Sequence, residues 1–426
     1  MNKNFWPMFG FFFCVILGNP QWVAGVEGIY VHDIEIDPTN RKVIYIATDN
    51  QGVLKSIDGG KNWNLVNKGI QSYLLYDLKI HPKKPDTVYV ASWGGGLYQS
   101  KNEGQIWEEQ NNGLGDTAIW RIFLSPERRD QIYILTSSGV YTRKGKINSW
   151  ELLDGGLSLG DEEIPQSFFV LPGASPILFL GTDQGIYRWE SSNQKWEKIS
   201  LAVPLNVTEI AYRLKDSELF FGTMNEGLFR SPDLGKTFQL VKGTKGIWIN
   251  RVIFHPDDPN TFFILTRSKG ILKTTDEGSS WATLNEGISD SWVTALAFDP
   301  KNSNIFYAGT HEHGIFKSVD GGKKWKSILE KAIQAPEKRN TDLLPKDPVG
   351  QKKKILPPPE SFKKCNECHG WTDPKLDFHS PTYYRMVANP RDWSATVKRM
   401  SKRAQLSLEE EKEIILYLNS YYGIKK

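Results

Sequence analysis

Between residues 26 and 330 the apolar positions come in short runs, some alternating with polar residues and some continuous, and no long stretch keeps the 3.6-residue rhythm of an amphipathic helix. The segment "ALAFDPKNSNIFYAGTHEHGIFKSVDGGKKW" (295–325) holds one full unit of the pattern. An apolar run ends at Asp-Pro, a second β-rich run ends at Gly, a short third strand enters a Gly-rich turn, and Trp325 opens a fourth strand. Proline cannot donate to a strand ladder, so "EIDP", "KIHP", "FHPDDP" and "FDP" each stop the first strand of a unit.

The closing aromatic recurs at Trp63, Trp107, Trp150, Trp196, Phe238, Trp281 and Trp325, with spacings of 44, 43, 46, 42, 43 and 44. A four-stranded unit repeated at that interval predicts an all-β propeller of seven blades, with strands of about 5 residues. Every unit holds its own four strands, so the ring's closure is not legible. The early segment 28–37 and the last, 325–331, are expected side by side.

In "SIDGGKNW", "TTDEGSSW" and "SVDGGKKW", Asp58, Asp276 and Asp320 can accept bonds from amides of their own turn while glycine supplies a positive φ. "SKNEGQIW" and "SPDLGKTF" read as degraded copies; "RKGKINSW" and "WESSNQKW" have lost the Asp-Gly core. A calcium loop would need further carboxylates at alternating positions, so these aspartates read as structural. The turns resemble the Asp-box (BNR) repeat of sialidases, xyloglucanase-type glycosidases, sortilin-like receptors and photosystem II assembly factors. That resemblance implies the propeller fold, with the boxes on turns away from the families' active sites. No arginine triad of the sialidase kind, and no carboxylate pair of the xyloglucanase kind, is assignable along the chain.

Composition changes the picture at both ends. The opening "MNKNFWPMFGFFFCVILGNPQWVAG" (1–25) places Lys3 before about 14 mostly apolar residues and ends on Ala24 and Gly25, the layout of a cleaved signal peptide. The protein is thereby expected to be exported or periplasmic, with no transmembrane span in the mature chain. Of the formal net charge of +4, residues 26–330 carry −4, residues 331–426 carry +7, and Lys3 supplies the remainder. Residues 331–361, rich in Lys and Pro, read as an extended, semi-stiff linker to a last domain at 362–426. No aromatics interleave with those lysines, which argues against nucleic acid as a partner.

The chain has three cysteines, and removing the signal takes Cys14. Cys365 and Cys368 remain, in "KCNECHGW", too close together to staple a fold. Two thiols separated by two residues, with His369 directly after, form the attachment pattern of one covalent haem c: two thioethers to the porphyrin vinyls and an axial imidazole on the iron. The chain's own Cys and His frequencies give this pattern by chance on the order of 10⁻⁴ to 10⁻³ times. A zinc site would need a fourth ligand, and a redox dithiol does not require the histidine.

Downstream, "RDWSATVKRM" puts Trp393, Val397 and Met400 on one helical face, and "SLEEEKEIILYLNSYYG" runs from a capping box at Ser407 and Glu410 to Gly423. Haem motif, Met, then a C-terminal helix is similar to the order of a class I cytochrome c, a small all-α domain. By that analogy Met400 is the sixth iron ligand, with His379 and Met386 as alternatives. Lys398, Arg399, Lys402 and Arg403 flank Met400 and would steer an acidic redox partner to the haem edge.

The expected function is electron transfer by an exported c-type cytochrome whose propeller docks a partner or serves as a scaffold. The alternatives are a periplasmic propeller enzyme, an oxidoreductase or glycosidase with the haem as relay, and an assembly factor for a redox complex. No catalytic residue is assignable.

Overall fold

The computed structural model describes residues 29–329, apart from 50, 126–130, 144–148, 158, 160–162, 174 and 202–203. The signal segment, the linker and the expected cytochrome domain, with Cys365, Cys368, His369, His379, Met386 and Met400, lie outside the described residues. The rest is seven four-stranded antiparallel sheets, each formed by consecutive strands. Seven blades are as the Trp spacing predicts.

The inner strands of blades 1 to 7 are Val31–Ile36, Leu75–Ile80, Ile119–Leu124, Pro165–Leu171, Val207–Arg213, Ile249–Phe254 and Val293–Asp299. Five of the second strands, Ile44–Thr48, Val88–Ser92, Ile132–Thr136, Glu218–Thr223 and Phe262–Thr266, are buried along their whole length because they face neighbours on both sides. Outermost strands are shorter than expected, two to four residues, as in Asn64–Leu65 and Lys195–Lys198. Short outer edges leave little unpaired backbone for another chain to join.

The turns after the inner strands are closed by the residues just before or at the proline. Asp37 accepts from the Thr39 and Asn40 amides at 2.7 and 3.1 Å, and His255 Nδ1 does the same for Asp257 and Asp258 at 3.2 and 3.1 Å.

In the Asp-box turns Ser56 Oγ donates to Asp58 Oδ1, which also accepts the Lys61 and Asn62 amides, each at 2.9 Å. Desolvation acts to raise Asp58, but these bonds together, with that from the Asn62 side chain, outweigh it and hold the carboxyl down to about 2. Two units that read as degraded are intact in space. Asp233 accepts from Ser231, Lys236 and Thr237, and Asn102 substitutes for aspartate in blade 2. Glu103, Leu234 and Glu277 hold φ near +60° where blades 1 and 7 use Gly59 and Gly321. The turn geometry therefore outlasts the loss of its glycine.

The closing tryptophans tie adjacent blades together as well as packing within them. The indole N–H groups of Trp107, Trp150, Trp196 and Trp325 donate to Val66, Gln110, Leu153 and Leu284 of the preceding blade, at 2.6, 2.6, 2.7 and 2.9 Å. A second tie runs the other way. Tyr45 hydroxyl and Lys55 ammonium, cross-strand partners in blade 1, both donate to the Glu103 carbonyl in the box of blade 2, at 3.0 and 2.9 Å. Tyr307 and Lys317 of blade 7 repeat this on Gly59 of blade 1, at 3.3 and 3.0 Å.

The residue paired with this aromatic is a cation in blades 1, 4, 5, 6 and 7: Lys55, Arg188, Arg230, Lys273 and Lys317. It is Gln99 in blade 2 and Thr142 in blade 3, the two blades followed by units that lost the box. Beside the second of these a cleft of about 520 Å³ opens between blades 3 and 4, lined by Gln131, Tyr133, Thr142, Glu151 and Trp189.

The first and last segments meet as expected, with Ile328 and Leu329 packed against the cluster of Ile29, Val31 and Ile34, but they do not pair as strands. Val31–Ile36 is the innermost strand of blade 1 and packs against the inner strand of blade 7, while Lys326–Ser327 is an outermost strand paired within its own sheet. The ring closes by side-chain packing of Ile29, Val31 and Ile34 with Ala295, Tyr307, Ile315 and Leu329, reinforced by Gly314 N donating to Ile29 O at 3.1 Å.

Candidate functional site

All seven inner strands carry a register shift after their first residue, so one extra residue is inserted opposite the second strand. A bulge re-aims side chains. The bulge falls at the second and third residues of every inner strand: His32 and Asp33, Tyr76 and Asp77, Trp120 and Arg121, Gln166 and Ser167, Thr208 and Glu209, Asn250 and Arg251, Thr294 and Ala295.

Several of these side chains stitch one blade to the next. Asp33 accepts from the Leu78 amide and Asp77 from that of Ile122, at 3.1 and 2.6 Å. Ser167 donates to Val207 O at 3.0 Å, Asn250 to Val293 O at 3.0 Å, and Thr294 to Val31 O across the closure. Arg121 spans the channel instead, reaching Glu209 of blade 5 at 3.3 Å.

The charges condense around Lys79. Its ammonium lies 2.7 Å from Asp33, 2.7 Å from Glu35 and 2.9 Å from Asp77, and it donates to Leu78 O at 2.8 Å. Arg251 approaches Asp33 at 3.9 Å. Four carboxylates thus face three cations in a confined space. Burial pushes Glu35 up to about 7 and Asp77 up to about 6; Lys79 pulls both down, and the neighbouring carboxylates add to the effect of burial. Burial acts in the same direction on Asp33, but Lys79, Asp77 and Arg251 hold it below the usual carboxylate range.

Above the charges, at the end away from the Asp boxes, lies an aromatic rim. The Arg267 guanidinium sits between the Trp248 and Trp292 rings, 4.4 and 4.3 Å from their centroids. Trp292 stacks on His311 at 3.7 Å and 6°, and Tyr30 meets His311 edge-on at 4.6 Å. On blades 1 to 3, His32 contacts Tyr76 at 4.6 Å, and Tyr76 and Trp93 both contact Trp120, at 5.1 and 4.3 Å. The rim joins backbone to backbone as well, for Arg267 N donates to Trp248 O and His311 N to Trp292 O. Among the described residues the loops of this face carry Asp49, Asp116, Asp154, Glu163, Asp183, Glu226, Glu286, Asp290 and Glu312 against Lys68, Lys242, Lys245, Arg267 and Lys269, so the mouth is acidic around an aromatic lip.

None of the mouth or channel residues was assignable from sequence, where the arginines follow no evident pattern. In space two of them, Arg121 and Arg251, occupy the same bulge position. The missed signal is a polar third residue in an otherwise apolar first strand, recurring at 33, 77, 121, 167, 209 and 251. Among the described residues no group of three or more His, Cys, Asp or Glu is placed to hold a metal ion, and no helix is long and apolar enough to cross a membrane.

A family model described as Sortilin, neurotensin receptor 3 (Sortilin-Vps10) matches residues 226–352. No curated protein matches the sequence. Among solved structures the chain is similar to a GH74 xyloglucanase from Xanthomonas campestris, with TM-score 0.60 and 15 % identity over 72 % of this chain and 55 % of that one. It is similar to YCF48 from Cyanidioschyzon merolae, with TM-score 0.52 and 14 % identity over 68 % of this chain and 96 % of that one. The extracellular domain of a putative one-component system from B. thetaiotaomicron aligns with TM-score 0.56 and 15 % identity over 68 % of this chain and 38 % of that one. The chain spans about half the length of the xyloglucanase. At these identities the likenesses establish the fold, a seven-bladed β-propeller.

Proposed function

We propose that this chain is an exported c-type cytochrome that transfers electrons through one covalent haem c, and that its propeller is the module that docks it. The observation that carries the reading is Cys365-Asn-Glu-Cys368-His369, the mature chain's whole thiol complement placed in the haem attachment pattern. Cys365 and Cys368 would hold the porphyrin, His369 would supply one axial ligand, and Met400 the other. Haem iron supplies one-electron chemistry when bound. The propeller's part is supported by the acidic, aromatic mouth, a surface with an apolar lip and a charged surround of the kind used for protein docking. Export is supported by the 1–25 signal pattern.

The test is expression of the full chain in a host with c-type haem attachment machinery, followed by a pyridine haemochrome spectrum and a haem stain after denaturing electrophoresis. One haem per chain is expected, lost in the Cys365→Ala, Cys368→Ala double variant. A wild-type chain without covalent haem would overturn the proposal.

A second reading, a scaffold in assembly of a redox complex, is favoured by the single-propeller likeness to YCF48, which has been solved bound to D1 peptide. Co-purification from the native organism separates the two. A mature oxidoreductase would indicate a carrier, and unassembled subunits a scaffold.

A further inference from the structure

The chain leaves the propeller on the same face as the aromatic mouth. Ile328 N donates to Ile315 O at 3.1 Å, the bond that Val66, Gln110, Val241 and Leu284 make at the end of their own blades. In blades 1, 2, 5 and 6 the residues that follow cross the mouth face to the next inner strand. For blade 7 the next inner strand is that of blade 1, already in place, and Leu329 is fully buried against Ile29 and Val31 at this seam. One residue beyond Ile29, Tyr30 touches the His311–Trp292 stack. The exit is thus at the edge of the rim. At the same seam, Trp63 Nε1 is buried without a hydrogen-bond partner, whereas its counterparts in blades 2, 3, 4, 6 and 7 each bond the preceding blade.

We infer that the C-terminal segment 362–426 docks on this mouth, so that the haem-bearing part of the chain is the resident partner of its own propeller. This rests on the reading above for what is docked, though not for where. Tether length permits it. Cys365 follows Leu329 by 36 residues, and a coil of that length has a root-mean-square span of about 30 to 36 Å, with a stiffer Pro-rich chain reaching further. A tether of this kind gives an effective concentration on the order of millimolar, so a weak surface suffices. Charge favours it: residues 362–426 carry +4 and the propeller segment −4, with nine carboxylates on the described loops of the mouth face against five cations. Lys398, Arg399, Lys402 and Arg403 are the cations expected at the haem edge, and they would meet that acidic surround while the lip accepts apolar surface.

The experiment is zero-length carbodiimide cross-linking of the full-length protein, read by mass spectrometry, on a mixture of heavy-isotope and light chains. The expected result is intramolecular links from Lys398, Lys402 or Lys412 to Glu226, Glu312 or Asp290, at least several-fold over links to the Asp-box carboxylates Asp58, Asp233 and Asp320 on the opposite face. They should fall several-fold at 0.5 M salt and in a Glu226→Lys, Glu312→Lys variant, while any link from Lys331, beside the exit, persists. Equal linking to both faces, links only between heavy and light chains, or indifference to salt and to charge reversal would overturn the proposal. Haem content measured on the same sample keeps the two readings separate: links to the mouth in a chain lacking haem would sustain the docking and sink the cytochrome.

Discussion

Lys79 Nζ of the second blade lies 2.7 Å from Asp33 Oδ2 of the first, and the same ammonium serves Glu35 and Asp77. One cation between three carboxylates makes the inner channel a pH-dependent element of the fold. Glu35 and Asp77 have folded values above the ordinary carboxylate range. Their protonated forms therefore stabilise the fold at low pH, and that contribution is lost as pH rises through about 6 to 7. Asp33 has the opposite sign and stabilises until pH falls below the usual carboxylate range. Replacing Glu35 with Gln is expected to raise stability at pH 8 by on the order of 1 to 3 kcal/mol and to change it little at pH 4.5. Thermal melts from pH 4.5 to 8.5 measure this, and an unchanged pH slope in the variant would contradict it.

Lys79→Met removes the shared cation and leaves its partners in the channel. A loss of about 3 to 5 kcal/mol is expected at pH 8, the usual cost of breaking a buried pair on one side. The loss should shrink at pH 5, where Glu35 and Asp77 hold protons. Denaturant unfolding at the two pH values checks both size and trend.

Trp107 joins two blades through its indole N–H on Val66 O and through its burial against blade 1. Trp107→Phe keeps most of the packing and leaves the half-buried Val66 carbonyl without its donor, at a cost of about 1 to 2 kcal/mol. Trp107→Ala also opens a cavity and should cost about 3 to 5 kcal/mol. Equal unfolding midpoints for the two variants would show that the hydrogen bond and the ring do not contribute separately.

Asp58 organises its turn by accepting bonds, and asparagine already fills this role at position 102. Asp58→Asn is expected to be tolerated, whereas Asp58→Ala should lose about 1 to 2 kcal/mol, the scale of a lost helix cap. Chemical denaturation of both variants decides; a larger loss in the asparagine variant would mean that charge, not acceptance, matters there.

Under the proposed haem ligation, Met400→Ala would remove the far-red sulfur-to-iron band of the oxidised protein while leaving haem attached. The same loss from Met386→Ala, or a wild-type spectrum without the band, would assign the sixth ligand elsewhere.

The repeat was legible in sequence because its determinants are local. A proline stops a strand, a turn needs a positive φ, and an aromatic recurs at the blade interval, so the blade count follows from spacing alone. Local reading undervalued units two and five, because Asn102 and Asp233 supply the same acceptor in sequences that look degraded. It also could not see that Lys55 and Tyr45 act on a turn 48 and 58 residues away, although the pattern of cations along the third strands records which next blade keeps its box.

By itself, then, the sequence determined the propeller, its seven units, the −4 and +7 division of charge and the haem attachment pattern, each carried by neighbouring residues. Only the tertiary structure decided the channel and its mouth. Asp33, Lys79, Arg121, Glu209 and Arg251 are scattered over more than 200 residues, and Trp248, Arg267 and Trp292 over three strand ends. Asp33, Arg121, Glu209 and Arg251 meet because a bulge falls at the same place in each inner strand, Lys79 joins them from further along its own strand, and ring closure brings these places and the rim residues at the strand ends to one axis.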